Sequence, residues 1–178
     1  VVVGGGNVAM DAARCAKRLG GDVHIVYRRT LKELPARKEE VEHAMEEGII
    51  FDLLTNPTKI NGDENGWTSS ITCIKMELGE PDERGRRRPV RVEGKFEEIA
   101  LDSVIAAIGQ KNDPDGFADL PQTKWGTISA DAINFATTIP GVFACGDTVN
   151  EGAGIAIGAI GQANEAALAV DAVKLHRQ

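Results

Sequence analysis

Cysteine is scarce in this chain, and its spacing suggests no dithiol centre. Cys15, Cys73 and Cys145 stand far apart among 178 residues, and no C-x-x-C pair occurs. The sequence therefore offers no dithiol redox centre, zinc knuckle or iron–sulfur ligand set. Each cysteine reads as a small buried residue of a protein kept in a reducing cytoplasm. Long apolar runs are missing too: none approaches the roughly 20 residues of a membrane span, and the start carries no signal-peptide pattern. Basic residues are in the minority, 20 Lys and Arg against 27 Asp and Glu for a formal net charge of −7. That balance argues against nucleic acid or an anionic membrane as partner. The chain has no initiator Met and begins inside an apolar stretch, so it reads as part of a longer polypeptide. What remains, 42% hydrophobic and 26% charged, is the composition of an ordinary globular protein, long enough for one domain or two small ones.

The informative stretch is the first. Val1 to Val3 run into Gly4-Gly5-Gly6-Asn7-Val8-Ala9, which fits G-x-G-x-x-A, the Ala form of the dinucleotide fingerprint. Gly4 permits the tight turn, Gly6 lets backbone approach a pyrophosphate, and Ala9 keeps helix and strand close. Amides at the helix start then face the phosphates. Glycine triplets alone mark turns as readily, so the context decides. Val8, Ala9, Ala12, Ala13, Ala16 and Leu19 recur at helical spacing, Gly20-Gly21 stop the helix, and Val23 to Tyr27 form a strand. This is the strand, turn, helix, strand setting the fingerprint requires.

The end of that second strand selects the ligand. An NAD site places an acid there for the ribose 2′-hydroxyl; here the chain reads Tyr27-Arg28-Arg29. Two guanidiniums bind a 2′-phosphate through charge-assisted bonds, which predicts NADP(H). The plain alternative is a solvated strand end. Arg37 could reach the same phosphate or join a surface salt bridge.

After a short connection at 30–34, Pro35 is expected in the first turn of a second helix, with Val41, Ala44 and Met45 inward. A buried strand follows at 49–54. Residues 58–101 then predict antiparallel hairpins, with separate strands at 90–93 and 96–101. The basic cluster Arg84, Arg86, Arg87, Arg88 and Arg91 reads as a charged loop tip. Ser103 to Gly109 is expected to be a buried parallel strand whose carboxyl end, Ala107 to Gln110 with Ile108 and Gly109 as the binding candidates, opens on the ligand crevice. Beyond it come a short edge strand at 126–129, an apolar strand at 142–147 stopped by Gly146-Asp147, and an Ala-rich helix from about residue 155 to 175. Asp147 could accept bonds from a sugar-alcohol chain or simply cap its turn. The fold class expected is α/β: a Rossmann-like NAD(P)-binding domain over 1–108 with an antiparallel β-hairpin excursion, then a second unit over 109–178.

Together, GGGNVAMDAAR, VYRRT, AIGQ and IPGVFACGD resemble the two-dinucleotide-fold flavoproteins typified by the small subunit of NADPH-dependent glutamate synthase. The resemblance implies that 109–178 is the carboxy-terminal half of an FAD-binding domain. It puts Gly4, Gly6, Asn7, Val8 and Ala9 on the NADP pyrophosphate and Arg28 with Arg29 on the 2′-phosphate. Gly146 and Asp147 fall by the FAD ribityl and pyrophosphate, and the backbone of Ile155 and Ala156 by the flavin ring. It implies hydride transfer from NADPH to FAD, iron–sulfur clusters in a preceding region, and a partner subunit that accepts electrons, such as a glutamate synthase large subunit. The chain departs from the family in having Ile155-Ala156 where Thr-Val is common, and Asn164-Glu165 where an Arg pair is common. A nucleotide-binding or sensor module without turnover of its own is the alternative. A disulfide reductase of the thioredoxin reductase kind would need the dithiol this segment lacks.

Overall fold

The computed structural model describes residues 1–81, 85, 87–113, 115–149 and 155–175. The chain forms two compact units, Val1–Gly109 and Gln110–Gln178.

In the first unit, β-branched residues build a parallel sheet in the order β3-β2-β1-β7: β1 (Val2–Val3), β2 (His24–Tyr27), β3 (Ile50–Leu53) and β7 (Ile105–Ala106). Alternation of side chains along β2 sends Ile25 and Val26 to opposite faces. Ile25 joins Val2, Ala9, Met10, Ala13, Val41 and Ala44 under the helices α1 (Asn7–Arg18) and α2 (Lys38–Glu46). Val26 joins Ile71 and Cys73 on the other face. Those two belong to an antiparallel sheet in the order β4-β5-β6, made of β4 (Thr55–Gly62), β5 (Thr68–Pro81) and β6 (Arg87–Ala100). Both faces of the parallel sheet are thus covered, each fully buried Ile or Met contributing about 1.5–3 kcal/mol. Pro57 sits on an outer strand, where its missing amide costs no central ladder bond.

Several expectations needed correction. Pro35 does not open α2. Thr30 and Glu33 form a capping box on a 3-10 turn at Leu31–Glu33, so α2 starts later, with Arg37 as its N-cap. Met45 faces solvent. Strand β3 lies at the sheet edge with Ile50 exposed. The strands expected at 90–93 and 96–101 are one, β6, whose pairing slips between Phe96 and Arg91 around Gly94 at φ 74°. The stretch expected as a buried strand at 103–109 is an edge of two residues, β7, with Ile105 exposed. Of the basic cluster, Arg84 and Arg86 lie outside the described residues. Arg87 is spent on the carbonyls of Leu78 and Gly79 across the hairpin, at 2.8 and 2.9 Å.

Helices α1 and α2 are tied by charge. Arg14 bridges Glu40 and Glu47 at 2.9 and 2.8 Å, and Arg18 reaches Glu47 at 2.6 Å. Hydrogen bonds from Arg18 first and Arg14 second pull the Glu47 carboxyl from its ordinary 4.5 down to about 2. A depressed carboxyl stabilises the fold above its unfolded pKa and loses that contribution as pH falls through the folded value. Urea midpoints should therefore drop between about pH 4.5 and 2, and Glu47→Gln should flatten that limb while lowering the neutral plateau. An unchanged acid limb in the variant would remove Glu47 from the account.

The second unit holds little regular sheet. The edge strand expected at 126–129 reduces to bridges from Ile128 to Gln122 and Val149, and the strand at 142–147 to one bridge between Phe143 and Ala136. Gly146–Thr148 is instead a 3-10 turn. Helix α3 runs over Ala156–Leu175. Of its described residues Ala166 is buried, while Ile157, Ile160 and Leu168 are exposed. No described helix is long and apolar enough to cross a membrane.

Candidate functional site

The glycine turn sits where β1 hands over to α1, and its three glycines do different work. Gly4 has φ 142°, and a Cβ there would lie 2.3 Å from the Ala107 carbonyl oxygen. Backbone from β7 packs directly against the turn. Gly5 lies on Tyr27 and Leu34, whose atoms would be 2.7 and 2.6 Å from a Cβ. Gly6 caps α1 in extended conformation, and nothing stands within 4 Å of the Cβ it lacks. Space is open on that side, and no hydrogen bond to the amides of Asn7 or Val8 occurs among the described residues. Free donors at a helix N-terminus beside an open glycine suit an anion. Ala9 is fully buried in the core; a larger side chain would push α1 off the sheet.

The loop after β2 is fastened on three sides. Leu54, itself at φ 50°, donates its amide to the Arg29 carbonyl at 3.0 Å. Ala36 N–H donates to the Gly5 carbonyl at 3.1 Å, and Arg37 N–H to Asn7 Oδ1 at 2.9 Å. Within the loop the Tyr27 hydroxyl donates to the Glu33 carbonyl at 2.7 Å. The Thr30 hydroxyl and amide both donate to the Glu33 carboxylate. That hydroxyl bond holds the Glu33 carboxyl below its usual range, with Arg29 adding to the effect. The one acid in the loop is thereby turned onto Thr30.

The loop's cations are left over. Arg28 and Arg37 are exposed and Arg29 half-buried, and none has a carboxylate within salt-bridge distance among the described residues. Arg29 Nε is buried with no hydrogen-bond partner. A buried donor without an acceptor costs about 1–3 kcal/mol, so its retention points to a ligand. The donor set, all cationic, with no acid at the end of β2, fits a phosphate there and not a bare ribose hydroxyl.

Ile108 and Gly109 follow β7 beside the turn, both exposed, with Gly109 at φ 88°. Gly146 and Asp147 lie in the second unit's 3-10 turn, with Gly146 at φ 73° and its amide held by Gln162 Oε1 at 2.8 Å. Ile155 and Ala156 stand exposed at the start of α3. The Gly146 amide is already spent on Gln162. All three cysteines are free thiols. Burial, then the nearby carboxylates of Glu97 and Asp52, push the Cys73 thiol up to about 11, which keeps it unreactive. Of the three cysteines expected to be buried only Cys73 is, Cys15 being exposed and Cys145 half-buried; iodoacetamide at pH 8 should label Cys15 in the native protein and Cys73 only after unfolding, and native labelling of Cys73 would contradict its place in the core.

Sequence reading missed two parts of this site. The capping box was visible as Thr30-Leu-Lys-Glu33, the T-x-x-E pattern. The Asn7 to Arg37 bond joins residues thirty apart and has no local signal.

Comparison with known proteins agrees with this architecture. Over residues 1–169 the chain matches the family described as pyridine nucleotide-disulphide oxidoreductase. It is 48% identical over 173 residues to the NADP(+)-dependent formate dehydrogenase subunit beta of Moorella thermoacetica, covering 96% of this chain and 24% of that protein. It is 37% identical over 177 residues to the glutamate synthase [NADPH] small chain of Azospirillum brasilense, covering 97% and 36%. This chain therefore spans well under half the length of either relative. Among solved structures, thioredoxin reductase of T. acidophilum superposes with a TM-score of 0.82 at 20% identity, over 98% of this chain and 52% of that one, a likeness of fold. From the match over nearly its whole length and the identity to these relatives, the chain belongs to the pyridine nucleotide-disulphide oxidoreductase family.

Proposed function

We propose that the chain is the NADPH-binding part, with half of the flavin-binding part, of an oxidoreductase of the glutamate synthase small-subunit type. The observation that carries this reading is the group of unpaired guanidiniums at the end of β2, one with a buried Nε that lacks an acceptor, in a chain of net charge −7. The proposed boundary between the two parts, 108/109, lies one residue before the division between the two compact units. Gly4 and Gly6, with the free amides of Asn7 and Val8 and with Ala9 packing the helix onto the sheet behind them, hold the pyrophosphate; Arg28, Arg29 and Arg37 hold the 2′-phosphate. Ile108 and Gly109 border the crevice. Asp147 beside Gly146 anchors the polar chain of FAD, and the exposed start of α3 at Ile155 and Ala156 meets the flavin ring. When bound, the flavin supplies the two-electron to one-electron conversion, taking a hydride from nicotinamide C4. The protein's own share is placement and electrostatics. A partner subunit would receive the electrons, a reading supported by relatives named as a subunit or small chain; iron–sulfur centres outside this chain would relay them.

The test is anaerobic mixing of the full-length protein that carries these residues, purified with its flavin, with NADPH and with NADH. Loss of oxidised-flavin absorbance is expected with NADPH, and much more slowly with NADH. A flavin that NADPH leaves oxidised would overturn the reading.

A further inference from the structure

We propose that Asn7 is a positioning residue for phosphate specificity: its side-chain carbonyl clamps the Arg37 amide, so that the arginine loop is fixed before ligand arrives. This rests on the proposed NADPH reading. The two halves of the dinucleotide's phosphate chemistry lie on separate elements, the pyrophosphate on the glycine turn and the 2′-phosphate on the loop after β2. Three bonds join loop to scaffold. Two are backbone to backbone, Leu54 N–H to Arg29 O and Ala36 N–H to Gly5 O at 3.0 and 3.1 Å. The third, Arg37 N–H to Asn7 Oδ1 at 2.9 Å, depends on a side chain, and it ties the first residue of α1 to the N-cap of α2. Asn7 also gives the turn its first helical amide, so one residue holds both subsites in register. Guanidiniums carried on a loose loop lose conformational freedom on binding; a clamped loop has lost it already. NAD has no 2′-phosphate, so its affinity does not depend on the clamp. Asn7 therefore sets a ratio of affinities.

The experiment is equilibrium titration of the protein with NADP+ and NAD+, whose oxidised nicotinamides leave an oxidised flavin unreduced. Wild-type protein should prefer NADP+, and Arg28→Ala with Arg29→Ala should remove most of the preference. Asn7→Ala should weaken NADP+ by about three- to tenfold, the worth of one net hydrogen bond, and NAD+ by less than about twofold. Added to the arginine double variant it should leave the ratio unchanged. A comparison from the other side serves if Asn7→Ala does not fold: Arg37 has φ −61°, which Pro accepts, so Arg37→Pro removes the amide while Arg37→Ala removes only the side chain. Arg37→Pro should show the lower NADP+ preference. A wild-type preference lost in the arginine variant but intact in Asn7→Ala, an equal loss of both nucleotides in Asn7→Ala, or indistinguishable Arg37 variants would overturn the clamp and leave the proposed function standing. A wild-type protein without preference would overturn both.

Discussion

Replacing Arg28 and Arg29 together by neutral residues should cost NADPH at least about a hundredfold in affinity and leave NADH within a few-fold. Each charge-assisted bond to phosphate is worth about 1.5–3 kcal/mol, and 1.4 kcal/mol is a factor of ten. The ligand-free fold should not suffer. Arg28 is exposed, and neither arginine has a salt-bridge partner among the described residues. Replacing Arg29 by Met removes a buried donor that has no acceptor, so thermal stability without ligand should hold or rise. That combination, binding lost while stability is kept, is the signature of a residue retained for function at some expense to the fold. Titration and thermal melts of Arg28→Ala with Arg29→Met read both. Equal losses for NADPH and NADH would sink the phosphate assignment; a large drop in ligand-free stability would mean the guanidinium holds the fold.

The glycines should separate in the opposite sense. Gly4→Ala should destabilise the protein by about 3 kcal/mol or more. Its φ of 142° is hostile to a side chain, and the new Cβ would stand 2.3 Å from the Ala107 carbonyl oxygen, which is backbone and cannot swing aside. Strand β7 would have to leave β1. Gly6→Val should leave stability nearly unchanged, since that side of Gly6 is empty to 4 Å and its φ of −89° suits any residue. It should instead abolish nucleotide binding, because its methyl groups fill the space the pyrophosphate takes. Urea denaturation and NADPH titration of both variants give four numbers. A stable Gly4→Ala, or a Gly6→Val that still binds, would show that the turn is not read correctly.

The parts of this fold legible in the sequence were those written in short-range patterns. The β-branched run into Gly4-Gly5-Gly6, the spacing of Ala9 and Ala13, and the Ala-rich stretch of α3 each announce their element through adjacent residues. Harder to read was whatever depended on a partner far along the chain. Ser103 to Gly109 is apolar enough for a buried strand, yet burial is a property of its neighbours, and Ile105 lies on the sheet edge. Val142 to Cys145 reads as a strand but finds one bridge, at Phe143. Pro35 misled because the capping box at Thr30 and Glu33 takes up the chain first and defers α2 to Lys38. In the site, the residue types were legible at Arg28 and Arg29. The tethers that fasten this loop, from Leu54 to the Arg29 carbonyl and from Asn7 to the Arg37 amide, were not, since both join distant positions.

The central claim is that this chain carries a site built for the 2′-phosphorylated dinucleotide. It is tested most directly by calorimetric titration of the protein with NADP+ and then, in a matched cell, NAD+. NADP+ is expected to bind at least about tenfold more tightly than NAD+, with the advantage shrinking as salt is raised, as contacts between guanidinium and phosphate require. Equal affinities, or tighter binding of NAD+ to a protein shown by circular dichroism to be folded, would contradict it.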